Sequence, residues 1–140
     1  MITNVLLNIS SYKSEMTISQ VVRFFDGFGM GFTKTMIQNY VRVGVIPPPV
    51  RKRYYVKNHI ILLAMIYELK ESCSLPEISK LFKLYIKSDN SDELTDLYNK
   101  FLILYAKYIK AASDDSLMNL AVQTAVNRKI VKNMMDNEDL

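Results

Sequence analysis

Thr33-Lys34-Thr35-Met36-Ile37-Gln38-Asn39-Tyr40-Val41-Arg42-Val43-Gly44 runs directly into Val45-Ile46-Pro47-Pro48-Pro49-Val50-Arg51-Lys52-Arg53-Tyr54-Tyr55-Val56. The first half is an amphipathic helix pattern: Thr33 can cap it, and Met36, Ile37, Tyr40, Val41 and Val43 supply a buried side. Lys34, Thr35, Gln38, Asn39 and Arg42 fall largely on the other side. Gly44 closes the helix, and the proline run cannot continue it, because proline lacks an N–H and holds φ near one value. Arg51 to Val56 alternates and is rich in aromatic and β-branched residues, so it reads as a strand. Paired with the proline-rich arm, it predicts a small basic hairpin over 46–56.

Working outward, a second helix pattern precedes this stretch. Thr17 and Gln20 have capping-box spacing, and Ile18, Val21, Val22 and Phe25 follow at i, i+3, i+4 and i+7. Gly27, Gly29 and Gly31, three of the four glycines in the chain, mark a turn between the two helices. No strand precedes them and no Lys-Ser/Thr follows, so they are not a phosphate loop. After the basic segment, residues 57–72 are apolar nearly all round, predicting a central helix. Ser74-Leu75-Pro76-Glu77 starts another, carrying Ile78, Leu81, Phe82 and Tyr85. Residues 87–91 read as a linker. Leu94, Leu97, Phe101, Leu104 and Tyr108 then recur with 3,4 spacing on a helix over 92–112. Asp114-Asp115 begins a last helix reaching about Met134.

The expected fold is therefore all-α, mainly helical. Residues 1–16 form an arm or short helix, 17–87 a winged helix-turn-helix with a small β-hairpin wing, and 88–140 a helical hairpin that packs on the first unit, on a second copy, or on both.

Charge follows the same division. Between Thr17 and Lys57 seven bases face one acid, Asp26, a net +6, whereas residues 58–140 hold ten bases and twelve acids, a net −2. A basic excess confined to one unit is the footprint of a polyanion-binding face. The single cysteine, Cys73, excludes an internal disulfide and fits a reducing compartment. No basic-then-apolar leader opens the chain, and its longest apolar run is too short to span a bilayer, so the expectation is a cytoplasmic protein without a membrane partner. The one histidine, His59, lacks partners at metal-ligand spacing and is expected at the surface or at a helix start. No cofactor, metal site or nucleophile–base arrangement emerges, so the chain does not read as an enzyme.

The segment from Thr17 to Phe82 resembles the MerR family of bacterial transcription regulators. Tyr40-Val41-Arg42-Val43-Gly44 is similar to the family's Tyr-x-Arg-x-Gly, Ile46-Pro47-Pro48 to its hydrophobic-Pro-Pro, and Arg53-Tyr54-Tyr55 to its wing strand. Ser74 to Ile78 is similar to its closing helix. Gln38 and Asn39 stand where the family usually has arginine and tyrosine. More closely, Gln38-Asn39-Tyr40, the proline run, the Tyr55 to His59 step and Leu69-Lys70 resemble an uncharacterised bacterial family, domain of unknown function 1836.

The resulting expectation is a transcription regulator binding double-stranded DNA as a homodimer. Helix 33–43, with Thr33 and Tyr40 among its DNA-binding residues, would read the major groove through Thr35, Gln38 and Asn39, since amide side chains pair with adenine and arginine reaches guanine or backbone. Lys34, Arg42, Arg51, Lys52 and Arg53 would hold phosphates, with Tyr54 or Tyr55 buttressing the wing. The alternative is a protein-interaction module on a winged-helix scaffold, whose working surface would be the acidic helical half. A small-molecule effector site lined by Tyr85, Phe101, Tyr105 and Tyr108 is conceivable, although plain core packing explains those residues as well.

Overall fold

The computed structural model describes residues 3–7 and 14–137. Six helices form among them: α1 (Ile18–Asp26), α2 (Lys34–Arg42), α3 (Lys57–Leu69), α4 (Leu75–Tyr85), α5 (Ser91–Ala112) and α6 (Leu117–Asp136). The leading arm expected over 1–16 lies partly outside the described residues.

Local chemistry explains most of the boundaries. The Thr17 hydroxyl accepts from the Gln20 N–H at 3.4 Å, while the Gln20 side chain accepts from the Thr17 N–H at 2.8 Å. Ser74 and Glu77 repeat the arrangement at the start of α4. Both boxes satisfy N–H groups that a helix start otherwise leaves unpaired. The last helix starts later than Asp114-Asp115 suggests, because Ser116 takes the cap.

Helix α3 is the hub. His59 to Ile66 are all buried, so its whole circumference is covered, and α5 packs along it. Helices α1 and α2 sit together, joined by aromatic side chains. Phe25 meets Phe32 edge-to-face at 4.9 Å between centroids, and Phe32 in turn meets Tyr40 and Tyr67. The ammonium of Lys70 lies 5.0 Å from the Tyr67 ring and 5.6 Å from that of Phe32. Phe32, in the turn between α1 and α2, is thus the wedge that sets their mutual placement. On α1 the buried face is Val21, Phe24 and Phe25, with Ile18 and Val22 half-covered. On α2, Val43 is 50% exposed and leaves the buried side expected of it.

The expected β-hairpin wing does not form as two strands. Among the described residues only isolated bridges occur, Val50 with Tyr54 and Met16 with Tyr55. Arg51 and Lys52 take φ of 52° and 62°, so the segment expected as a strand begins instead as a tight left-handed loop.

The N-terminal arm is pinned to α5. Val5 is fully buried, its N–H donates to the Tyr98 hydroxyl at 3.3 Å, and that hydroxyl donates to the Thr3 carbonyl at 3.2 Å. Leu94 and Tyr98 belong to the same core cluster as α1 to α4. Helix α6 joins through α4, where Arg128 pairs with Glu77 at 3.0 Å and Lys80 donates to the Met135 carbonyl. Among the described residues no helix is long and apolar enough to cross a membrane.

Candidate nucleic-acid interface

Helix α2 has nine residues, about 13 Å of axis. Ile37 and Tyr40 anchor it in the core, which turns Lys34, Thr35, Gln38 and Arg42 to solvent. The Thr33 hydroxyl accepts from the Met36 N–H at 3.1 Å, and its own proton remains available to an acceptor. Asn39 is half-buried and accepts through Oδ1 from the Arg42 guanidinium. These two side chains therefore form one polar unit, and bidentate pairing of Asn39 with a base requires that contact to open. Tyr40 departs from expectation: it is 5% exposed and packs on Phe32. It cannot touch a base, and burial raises its phenol pKa above the usual 10.0.

The basic loop is built from both ends. At its start, Gly44 has φ of 81°, a conformation that favours glycine. The Val45 and Ile46 amides then donate to the Tyr40 carbonyl, tying the loop to the end of α2. At its far end, His59 Nδ1 accepts from the Val56 N–H at 3.0 Å, so Nε2 carries the proton and points it at the Pro47 and Pro48 carbonyls, each at 3.2 Å. His59 is 2% exposed. It begins α3, as one of its two expected positions had it, but it is not at the surface. Burial holds its pKa below the ordinary 6.5, against the opposing pull of the two carbonyls.

At the tip, the Val50 and Tyr54 amides and carbonyls exchange hydrogen bonds of 2.7 and 2.9 Å across Arg51, Lys52 and Arg53. Tyr54 lies between two guanidiniums, Arg51 at 5.0 Å and Arg53 at 5.6 Å from its ring centre. Tyr55 is buried, bonds to Met16 through both backbone groups, and meets the His59 ring edge-on. Both tyrosines buttress the loop.

The fold brings part of the predicted set into one place. Gln38 from α2, Lys52 and Arg53 from the loop, and Thr17, Ile18 and Ser19 from the start of α1 line a shared open cleft of about 440 Å³. Lysine, arginine, a hydroxyl, an amide and the N-terminal dipole of α1 converge there, a donor-rich set suited to an anion. Arg51 leaves this group and pairs with Glu15 at 2.6 Å. Arg42 sits at the opposite end of α2 from Lys34 and does not line the cleft. Sequence reasoning missed Ser19 as a lining residue of the cleft and Glu15 as the partner that draws Arg51 away from it. The capping box located the start of α1, but nothing local says that the loop folds back on it. Among the described residues no group of three or more His, Cys, Asp or Glu side chains is arranged to hold a metal.

A short exposed helix set on an aromatic wedge, with a cationic loop beside it, defines a helical protein with one cationic face. Residues 13–101 match the family described as domain of unknown function (DUF1836), and the chain belongs to that family. Neither a curated protein nor a solved structure matches it.

Proposed function

We propose that this protein is a transcription regulator that binds double-stranded DNA, with α2 in the major groove and the 49–54 loop on the adjoining phosphates. The observation that carries this reading is the shared cleft, where exposed Gln38 on α2 stands with Lys52 and Arg53. A groove about 12 Å wide accepts a helix of this kind, and the cations beside it supply sequence-independent grip. The resemblance to MerR regulators, strongest from Tyr40 through Tyr55, supports the same reading, with the tight loop in the role of the wing. One short α2 reads only a half-site, so two copies bind together.

The test is a salt titration of binding to random duplex DNA. The parent chain should lose affinity with a log–log slope of about −0.9 per phosphate held. Lys52→Ala/Arg53→Ala should bind more weakly to every sequence, with a shallower slope by roughly 2. Salt-insensitive binding, or a variant equal to the parent, refutes the interface. A second reading, a protein-interaction module, is favoured by the uncovered apolar side chains of α5 and α6, and loss of all DNA binding would promote it.

A further inference from the structure

The apolar stripe of α5 runs off the core it begins in. Leu94 is buried and Leu97 and Phe101 are half-buried, but Leu104 and Tyr108 are 49% and 64% exposed. On α6, Met118, Val122, Val126, Ile130 and Met134 recur every four residues as one ridge, each 48–71% exposed. Together with Tyr85 and Ile109, and counted over the two faces, these side chains leave on the order of 1,000 Å² in water, against about 800 Å² per partner in a standard interface. Each face is an exposed apolar stripe of the kind that marks an interaction site.

A receiving surface exists. Leu81 and Tyr85 of α4 and Leu97, Phe101 and Leu104 of α5 line a cleft of about 690 Å³ over the end of α3, with Glu93, Asp96 and Lys100 on its edge. Lys129 borders the α6 ridge. Ridge and cleft cannot meet within one chain as it is folded. Helix α6 turns Arg128 and Met135 towards α4, through the Glu77 and Lys80 contacts, and the ridge lies on its other side.

We propose that the α4–α5 cleft receives the α6 ridge of a second copy, reciprocally, in a two-fold dimer in which each α6 stays on its own α4. Two-fold symmetry lets each chain supply one cleft and one ridge. The ridge spans about 24 Å of helix, and Lys129 beside it meets the acidic edge formed by Glu93 and Asp96. The apolar contact supplies affinity and the charges set register. The proposal rests on the two-copy part of the functional reading and not on its DNA part.

The test is sedimentation of the full chain without DNA. The parent should be a dimer. Asp96→Lys and Lys129→Glu should each raise the dimer dissociation constant roughly tenfold, and the two together should restore it to within about threefold. Far-ultraviolet circular dichroism checks that each variant keeps its helices. A second measurement does not depend on the charge variants folding. In a Cys73→Ser background, Leu97→Cys and Val126→Cys chains should form a disulfide when mixed and none when alone. A monomeric parent overturns both this proposal and the two-copy reading. A dimer indifferent to the reversals, or Val126→Cys linking to itself in preference to Leu97→Cys, overturns the cleft-and-ridge arrangement alone.

Discussion

Replacing Lys52 with glycine should strengthen the fold and weaken the proposed interface. Lys52 has φ of 62° and Arg51 has φ of 52°, two consecutive side-chain-bearing residues in the left-handed region. Each such residue costs on the order of 1 kcal/mol or more. Glycine adopts that conformation freely, although it also loosens the unfolded chain. Relief of about 1–1.5 kcal/mol, less about 0.5 kcal/mol for unfolded-state entropy, leaves a net gain of about 0.5–1 kcal/mol. The corresponding rise in Tm is about 2–5 °C for a chain of this size. Lys52→Asn, which tolerates positive φ with less entropic loss, should match or exceed it. Meanwhile the loss of one cation should make the DNA salt slope shallower by about 0.9. Thermal unfolding and salt-titrated fluorescence anisotropy measure the two effects. A destabilised Lys52→Gly variant refutes the strain argument. A stabilised variant that binds DNA with an unchanged slope refutes the role of Lys52 on phosphate, and the strain would then lack a functional reason.

Other consequences concern the pins of the interface. Because burial depresses the His59 pKa, the unfolded chain takes up a proton that the folded ring refuses as pH falls through 6.5. Stability should therefore be full above that value and decline below it. His59→Phe should flatten that dependence in pH-resolved urea titrations while costing about 2–4 kcal/mol through the unpaired Val56 N–H and proline carbonyls. Tyr40→Phe should leave DNA affinity unchanged and Tyr40→Ala should destabilise by about 3–5 kcal/mol; a specific loss of DNA binding by stable Tyr40→Phe would contradict its assignment to the core. Gln38→Ala should cost roughly 1–3 kcal/mol on a preferred operator and nothing on random duplex, and equal losses on both would move Gln38 from base reading to phosphate contact. Tyr98→Phe should release the N-terminal arm at a cost of about 1 kcal/mol, read as faster amide exchange at Val5.

Much of this architecture is readable without coordinates because its determinants are local. Thr17 with Gln20 and Ser74 with Glu77 close their boxes within four residues, and the apolar run from Ile60 to Ile66 announces a helix buried on every side. Lys34, Thr35, Gln38 and Arg42 are solvent-facing because Ile37 and Tyr40 define the opposite face. The same logic placed Tyr40 in the core, where it lies. Its periodicity put it on the apolar side, and only its place in the Tyr-x-Arg-x-Gly pattern suggested contact with DNA. The family was likewise legible, in the Gln38-Asn39-Tyr40 and proline-run signature that falls within the matched residues 13–101.

The loop was not legible, and the reason is physical. Alternating aromatic and β-branched residues favour extended backbone, but extended strands need a ladder partner, and Arg51–Val56 finds only single bridges at Tyr54 and Tyr55. Long-range contacts outweigh the propensity: His59 takes hold of the proline carbonyls, Met16 takes hold of Tyr55, and the intervening residues turn left-handed to fit. The exposed ridge of α6 has the same origin. An apolar pattern specifies that a face seeks burial but not what covers it, and in this chain α4 engages Arg128 and Met135 on the other side of the helix. By itself the sequence determined the helices, most of their starts, the central burial of α3 and the basic character of one unit, because capping, periodicity and charge act within a few residues. Only the tertiary structure decided which cations share a cleft with Gln38, that His59 is a buried pin, and that α6 presents its apolar ridge outward, because those outcomes depend on contacts between segments far apart in the chain.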